Sequence, residues 1–282
     1  KSASGRSRIA FNGEIYNYRE LAQRWLQDRL ELTSETSDTE VLVNLHDVFP
    51  ATDIPDLLDG MYAYTVLDDL EGVLHVSRDV QGEKALFIYE DDRIIIISSE
   101  IPAIQSLVPA IALDIQSLRD YFRTRHFMLF SRTVYRGIRQ IVSGGLERLQ
   151  LSTGQWSRVA HKKLSDWIDP ARMEANASRS LENLADELDA LLIQSTKEML
   201  PLRESYAAVV SGGIDSSLLS HYLVTHGQPK MLVAVNHIGK DLISSDLSGF
   251  EKSLGQHIDV LDIDKGKYAA EIIRCQETSR SP

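Results

Sequence analysis

One stretch constrains the fold of this 282-residue chain more than any other: Tyr206-Ala-Ala-Val-Val-Ser-Gly-Gly-Ile-Asp-Ser-Ser-Leu-Leu, ending at Leu219. Four apolar residues, Ala207 to Val210, read as a buried strand of a parallel sheet, since such strands are covered on both faces and lose polar alternation. Ser211-Gly212-Gly213 then makes a tight turn, and Asp215-Ser216-Ser217 opens a helix whose apolar face carries Leu218, Leu219, Tyr222 and Leu223. A strand, a glycine turn and a helix start aim unpaired backbone N–H groups and the positive end of a helix dipole at one point, which suits an anion. The two glycines let a bulky anion come close to the backbone. A nucleotide phosphate is the expected occupant. The plainer reading is a strand–turn–helix whose Asp and Ser only cap the helix.

Composition narrows the function class. With 30 Lys and Arg against 41 Asp and Glu, the formal charge of −11 argues against nucleic-acid binding as the main role. Hydrophobic content of 43% and charged content of 25% are those of a globular protein, and the length suits two domains. The single cysteine, Cys275, excludes an internal disulfide framework and fits a reducing, cytoplasmic compartment. No apolar run approaches membrane-spanning length; Ile94 to Ile97 reads as a strand. The opening residues Lys1 to Arg8 lack the apolar core of a signal peptide.

The chain divides between residues 160 and 180. Before the division, short strand-like runs dominate: Tyr62 to Leu67, Val73 to Val76, Leu86 to Tyr89, Ile94 to Ser98 and Leu146 to Leu151, separated by turns such as Asp68-Asp69 and Thr153-Gly154. Helical patterns interrupt them at Tyr18 to Leu30 and Thr39 to Val48. After it come a long amphipathic helix over Leu181 to Leu200, the strand at Ala207, the helix from Asp215, a strand over Met231 to Val235, a helix over Leu247 to Leu254 and a strand over Asp259 to Ile263. Alternating strands and helices predict a doubly wound α/β domain with the phosphate loop at the carboxyl end of a strand.

A second constellation lies in the first half. Phe11-Asn12-Gly13-Glu14-Ile15-Tyr16-Asn17-Tyr18 ends a strand and enters a helix. It is followed by Thr36-Ser37-Asp38-Thr39-Glu40, Asp59-Gly60-Met61-Tyr62-Ala63-Tyr64 and Arg78-Asp79-Val80-Gln81-Gly82-Glu83-Lys84. Taken singly, Asn12-Gly13 is a turn, Ser37 or Asp38 a helix N-cap, and Asp79 with Gly82 a loop between strands. Taken in order, ahead of Ser-Gly-Gly-Ile-Asp-Ser, they resemble the glutamine-hydrolysing asparagine synthetases. Ile97-Ser98-Ser99-Glu100 followed by Ile104 adds that family's passage from strand to helix. The later run lacks the Walker and dinucleotide glycine patterns and resembles instead the loop of the N-type ATP pyrophosphatases.

The resemblance implies two domains. Residues 1–165 would form a class II glutamine amidotransferase domain, an αββα sandwich of the N-terminal-nucleophile type, and residues 180–282 an α/β ATP pyrophosphatase domain. Asn12 and Gly13 sit where the family places its oxyanion hole, a side-chain amide and a backbone N–H facing a tetrahedral intermediate. Glu14 and Asp38 sit where it binds the α-amino group of glutamine, a cation that suits carboxylates. Ser211, Gly212, Gly213, Ser216 and Ser217 would hold pyrophosphate, Asp215 would carry Mg²⁺, and Val209, Val210 and Val235 would line adenine. The implied activity is ATP-dependent conversion of aspartate to asparagine through β-aspartyl-AMP, with ammonia from glutamine and release of AMP and pyrophosphate. A homodimer in the cytoplasm, binding neither nucleic acid nor membrane, is expected with it.

Departures from the family pattern are equally specific. The family's nucleophile is a cysteine at the first residue of the mature protein, where this sequence has Lys1, and Cys275 falls in the other domain. Arg6 and Arg8 lie too close to Asn12 to match the family's arginine for the glutamine carboxylate. The acidic loop and lysine that the family carries further on are not found before Pro282. A chain cut at both ends is expected, unable by itself to hydrolyse glutamine. His237 and Lys240 read as a solvated loop, Gly255 and His257 as a turn, Cys275 as a helical core residue and Glu277 as a contact to the acceptor substrate. Two other readings stay open: an amide-forming cyclase of the β-lactam synthetase or lasso-peptide type, which adenylates a different carboxylate, and a non-catalytic relic of the fold.

Overall fold

The computed structural model describes residues 1–27, 32, 37–125, 131–200, 205–236 and 244–262, with the single positions 266, 270, 273 and 274. The chain forms two compact units, Lys1–Asp169 and Pro170–Pro282.

In the first unit the strands are β1 (Ser7–Ile15), β2 (Gly60–Asp68), β3 (Val73–Arg78), β4 (Phe87–Glu90), β5 (Ile95–Ser98), β6 (Ile138–Gln140), β7 (Gly145–Gln150) and β8 (Gln155–His161). The helices are α1 (Tyr18–Leu21), which runs on as a π-helical turn over Ala22–Leu26, α2 (Asp38–Val48), α3 (Ile54–Leu57), α4 (Ile101–Leu107) and α5 (Ile115–Thr124). Five strands form one sheet in the order β1-β2-β3-β7-β8, antiparallel throughout, and three form another in the order β5-β4-β6.

Alternation along the strands explains the layering, because successive side chains face opposite sides of a sheet. Ile15, Tyr62, Tyr64 and Val66 face Leu21, Leu26, Val41, Leu42 and Leu45 of the helices. Ala63 and Val76 face the other way, onto Leu86, Ile88 and Ile141. Across the second sheet, Phe87 and Ile138 pack on Ile104 of α4. Helix, sheet, sheet and helix therefore stack in four layers, with both faces of β2 covered.

Four elements of this unit lie outside the runs singled out from sequence: α3, α5, β6 and β8. β6 is only three residues long. β8 is an edge strand with no fully buried side chain, and α5 leaves Ile115 and Phe122 exposed, so neither shows a full apolar pattern. The Asn12-Gly13 turn is not formed; both residues lie inside β1.

In the second unit α6 (Pro170–Ala177) and α7 (Leu181–Met199) precede β9 (Ala207–Val210), α8 (Ile214–His226), β10 (Met231–Asn236), α9 (Ser244–Leu254) and β11 (Ile258–Asp262). The three strands are parallel, in the order β11-β10-β9. Ala208, Val210, Leu232, Ala234 and Ile258 pack against Leu223 and Val224 of α8 and Leu247, Phe250 and Leu254 of α9. The opposite face leaves Val209 68% and Leu261 56% exposed. Of the doubly wound sheet expected here, the described residues supply one helix layer only. No described helix is long and apolar enough to cross a membrane.

Candidate functional site

The first constellation gathers at the end of β1, an edge strand. Gly13 lies opposite Tyr62, with φ +146°, and a Cβ there would stand 2.0 Å from the Met61 carbonyl oxygen. Only glycine lets the two strands approach so closely. Its neighbours Asn12 and Glu14 are exposed. One peptide on, the Ile15 N–H donates to Asp38 Oδ2 at 3.1 Å. Asp38 is held there because Ser37 caps α2, its Oγ accepting the Glu40 N–H at 3.1 Å. Glu14 and Asp38, far apart in sequence, are thus brought to adjoining positions. Arg6 and Arg8 are taken by Asp68 and Asp69 at the other end of β1.

Two clamps close the surroundings. Asn17 donates through Nδ2 to the Leu57 carbonyl at 2.9 Å and accepts the Asp59 N–H on Oδ1 at 3.0 Å, while the Tyr16 N–H donates to the Asp59 carbonyl at 2.8 Å. The second clamp is the Arg78-Asp79 pair. The buried Arg78 guanidinium donates to the carbonyls of Gly82, Lys84 and Ile141. The Asp79 carboxylate accepts the N–H groups of Glu83 at 2.9 Å, Lys84 at 3.1 Å and Tyr62 at 3.3 Å. Every bond of both side chains goes to backbone, so they shape the 79–84 loop and are not free for a ligand.

The electrostatics of this corner are negative. Burial raises the Tyr16 phenol above its ordinary value, and the charges of Glu83, Glu14, Asp59 and Asp79 push it further up. Four carboxylates around one phenol favour a cation such as an ammonium group. Next to them lies a cavity of about 70 Å³ lined by Asp59, Tyr62, Asp79, Gln81 and Lys162, among others. No group of His, Cys, Asp and Glu suited to a metal ion occurs among the described residues. Sequence reasoning assigned no role to Tyr16, Asp59 or Glu83, although all three stand in the runs it singled out, and read Asp79 with Gly82 as a loop between strands, which its bonds to the Glu83 and Lys84 N–H groups bear out.

In the second unit the Ser211–Ser217 loop joins β9 to α8. Gly212 has φ +75°, and a Cβ there would meet nothing within 4 Å, so the space above it is open. Gly213 starts α8 without a side-chain cap. The Ser211 N–H donates to Ser216 Oγ at 3.2 Å, the two hydroxyls lie 2.9 Å apart, and Ser216 Oγ donates to the Gly213 carbonyl at 3.1 Å. The Ser217 N–H makes the first intrahelical bond, to the Gly213 carbonyl at 3.0 Å. The N–H groups ahead of it have no intrahelical acceptor and face an exposed loop, where Asp215 also lies. The valines divide: Val210 is buried in the sheet core, Val209 stands exposed on the opposite face, and Val235 is half-buried. His257 is held by Glu251 at 2.7 Å, and Gly255, with φ +67°, turns the chain out of α9. His237, Lys240, Cys275 and Glu277 lie outside the described residues.

An αββα unit whose edge-strand Asn-Gly-Glu run sits under a capped aspartate matches a known domain type. The glutamine amidotransferase domain family matches residues 1–161, more than half of the chain, and the chain belongs to that family. A putative glutamine-hydrolysing asparagine synthetase of Mycobacterium tuberculosis (strain ATCC 25618 / H37Rv) is 26% identical over 265 residues, covering 89% of this chain and 36% of that protein. Asparagine synthetase [glutamine-hydrolyzing] 3 of Bacillus subtilis (strain 168) is 28% identical over 222 residues, covering 77% of this chain and 34% of that protein. The chain thus spans about a third of the length of these relatives. Among solved structures, the glutamine phosphoribosylpyrophosphate amidotransferase from B. subtilis complexed with ADP and GMP aligns over 92% of this chain and 46% of its own, at 16% identity and a TM-score of 0.41.

Proposed function

We propose that this chain is part of an enzyme that takes ammonia from glutamine and uses it, with ATP, to convert aspartate to asparagine. The first unit is its glutaminase half, of the N-terminal-nucleophile type. Glu14 and Asp38 bind the α-amino group of glutamine, the Asn12 amide and the Gly13 N–H stabilise the oxyanion formed when the side-chain amide is attacked, and Tyr16 lies within the field of Glu14. The observation that carries this reading is the bond from the Ile15 N–H to Asp38, which seats the second carboxylate beside the Asn-Gly-Glu run.

The second unit takes the nucleotide. The open turn at Gly212 and the uncapped start of α8 fit an anion, so Ser211, Gly212, Gly213, Ser216 and Ser217 hold the pyrophosphate oxygens and Asp215 the Mg²⁺ that neutralises them. ATP supplies the activation of the acceptor carboxylate that ammonia then displaces. Val209 and Val235 offer side chains to the adenine; Val210 reaches it only through its backbone, because its side chain is in the core. The enzyme acts as a cytoplasmic homodimer in this reading.

Calorimetric titration tests both halves. Glutamine affinity should fall at least about tenfold in Asp38→Asn, the loss expected when one charged hydrogen bond to a bound cation is removed. ATP–Mg²⁺ affinity should fall in Asp215→Ala. Unchanged affinities would remove these residues from their roles. Aspartate-dependent release of pyrophosphate by the full-length enzyme tests the acceptor, and release only with another carboxylate would reassign it.

A further inference from the structure

His46, in the last turn of α2, faces the layer between that helix and the five-stranded sheet. Its ring meets Tyr64 of β2 edge-on, with centroids 5.4 Å apart, and lies 6.2 Å from the ring of His75 on β3. Tyr64 pairs directly with Ser77, and His75 lies two residues away on the same face. His46 Nε2, His75 Nδ1, Tyr64 Oη and Ser77 Oγ are all buried; the Tyr64 and Ser77 hydroxyls lie close enough to pair, and neither ring nitrogen has a hydrogen-bond partner among the described residues. Neutral imidazoles and hydroxyls both donate and accept, so such a group is self-compatible while uncharged. A protonated ring would instead place a full charge in this buried layer, out of contact with water.

The charged groups around the cluster are already engaged. Asp47, next on α2, accepts from the hydroxyls of Ser4 and Ser7. Asp68, at the end of β2, is bound by Arg6 and by the N–H groups of Leu70 and Glu71, and Glu71 itself pairs with Arg6 at 3.2 Å. Arg148 on β7 stands opposite His75 and disfavours a positive charge there. Burial, with His75 beside it, pushes His46 down to about 3, and burial first and Arg148 second lower His75. Neither ring has a carboxylate in contact among the described residues.

We propose that His46 and His75 form an acid-sensitive latch, holding the end of α2 on the sheet while both rings are neutral and releasing it when either is protonated. The other end of the same helix carries Asp38, whose bond to the Ile15 N–H fixes the corner where β1 ends. Acid thus loosens that corner from eight residues' distance along α2. The latch does not depend on which ligand the corner binds.

Amide hydrogen exchange on the complete protein at pH 7.5 and 5.5, corrected for intrinsic rates, tests it. Opening of residues 41–45 and of Ile15 should rise about tenfold between these conditions through His46, and further through His75, because a group with an ordinary value near 6.5 is protonated in the open state, while His46 at about 3 stays neutral in the closed one. Residues 101–107 of α4 should not respond. In the double variant His46→Gln, His75→Gln, whose side chains donate and accept but do not titrate, the acid response should vanish. An equal response in wild type and variant overturns the latch, as does no response in wild type. If the variant does not fold, an NMR titration of the wild-type imidazoles decides. Neutral rings down to the pH at which α2 opens support the latch; rings that titrate near 6.5 in an unopened protein refute it.

Discussion

At Gly13 the backbone carries a requirement that chemistry at the neighbouring side chains conceals. A methyl group there would sit 2.0 Å from the Met61 carbonyl oxygen, so Gly13→Ala must move one strand off the other. We expect a loss of at least about 2 kcal/mol in chemical denaturation. Gly72→Ala, also at positive φ but with nothing within 4 Å, should lose about 1 kcal/mol. Equal losses would show that strand crowding is not the cause. Asp79→Asn turns an amide N–H₂ toward the backbone N–H groups that its carboxylate now accepts, and should cost about 1–3 kcal/mol. His46 adds a pH dependence. Its native value of about 3 lies below the ordinary 6.5, so the unfolded chain takes the proton first. The contribution to stability is complete above 6.5 and is lost as pH falls from there toward 3, by up to about 1.4 kcal/mol per pH unit. A flat stability profile between pH 7 and pH 5 would contradict this.

At the scale of elements, α2 is the part most exposed to test. It starts at a capped serine, carries Asp38 in its first turn, and buries Val41, Leu42 and Leu45 against the sheet. Ser37→Ala should cost about 1 kcal/mol, through the lost bond to the Glu40 N–H. Leu45→Ala should cost about 2–5 kcal/mol, because it leaves a cavity in a closed layer. If Asp38 acts as proposed, Ser37→Ala also weakens glutamine binding, and an unchanged affinity would argue that the carboxylate is seated without the cap. α2 was legible in sequence because cap, acidic first turn and apolar spacing agree. β8 and α5 were not, since an edge strand and a half-exposed helix satisfy their backbones without a full apolar pattern. Nor was the strand conformation of Asn12-Gly13, where pairing with β2 overrides the local preference of that dipeptide for a turn.

For the molecule as a whole, the two units should answer different ligands. Glutamine should slow amide exchange in β1, α2 and the 79–84 loop, and ATP–Mg²⁺ in the turn from β9 to α8. The reverse pattern would overturn both assignments. Sequence by itself indicated most of the strands and helices in their order, a helix cap at Ser37 or Asp38, and a helix opening just after the Gly212-Gly213 turn. These are local properties: apolar spacing, capping and the freedom of glycine act over a few residues. Tertiary structure alone decided that Asp38 meets the Ile15 N–H, that the charges of Asp59, Asp79 and Glu83 bear on Tyr16, that Val209 and Val210 differ in burial, and that the rings of His46 and His75 meet in one buried layer. Those meetings depend on sheet register and on helices packed across residues distant in the chain, and no local pattern encodes a register until the strands have paired.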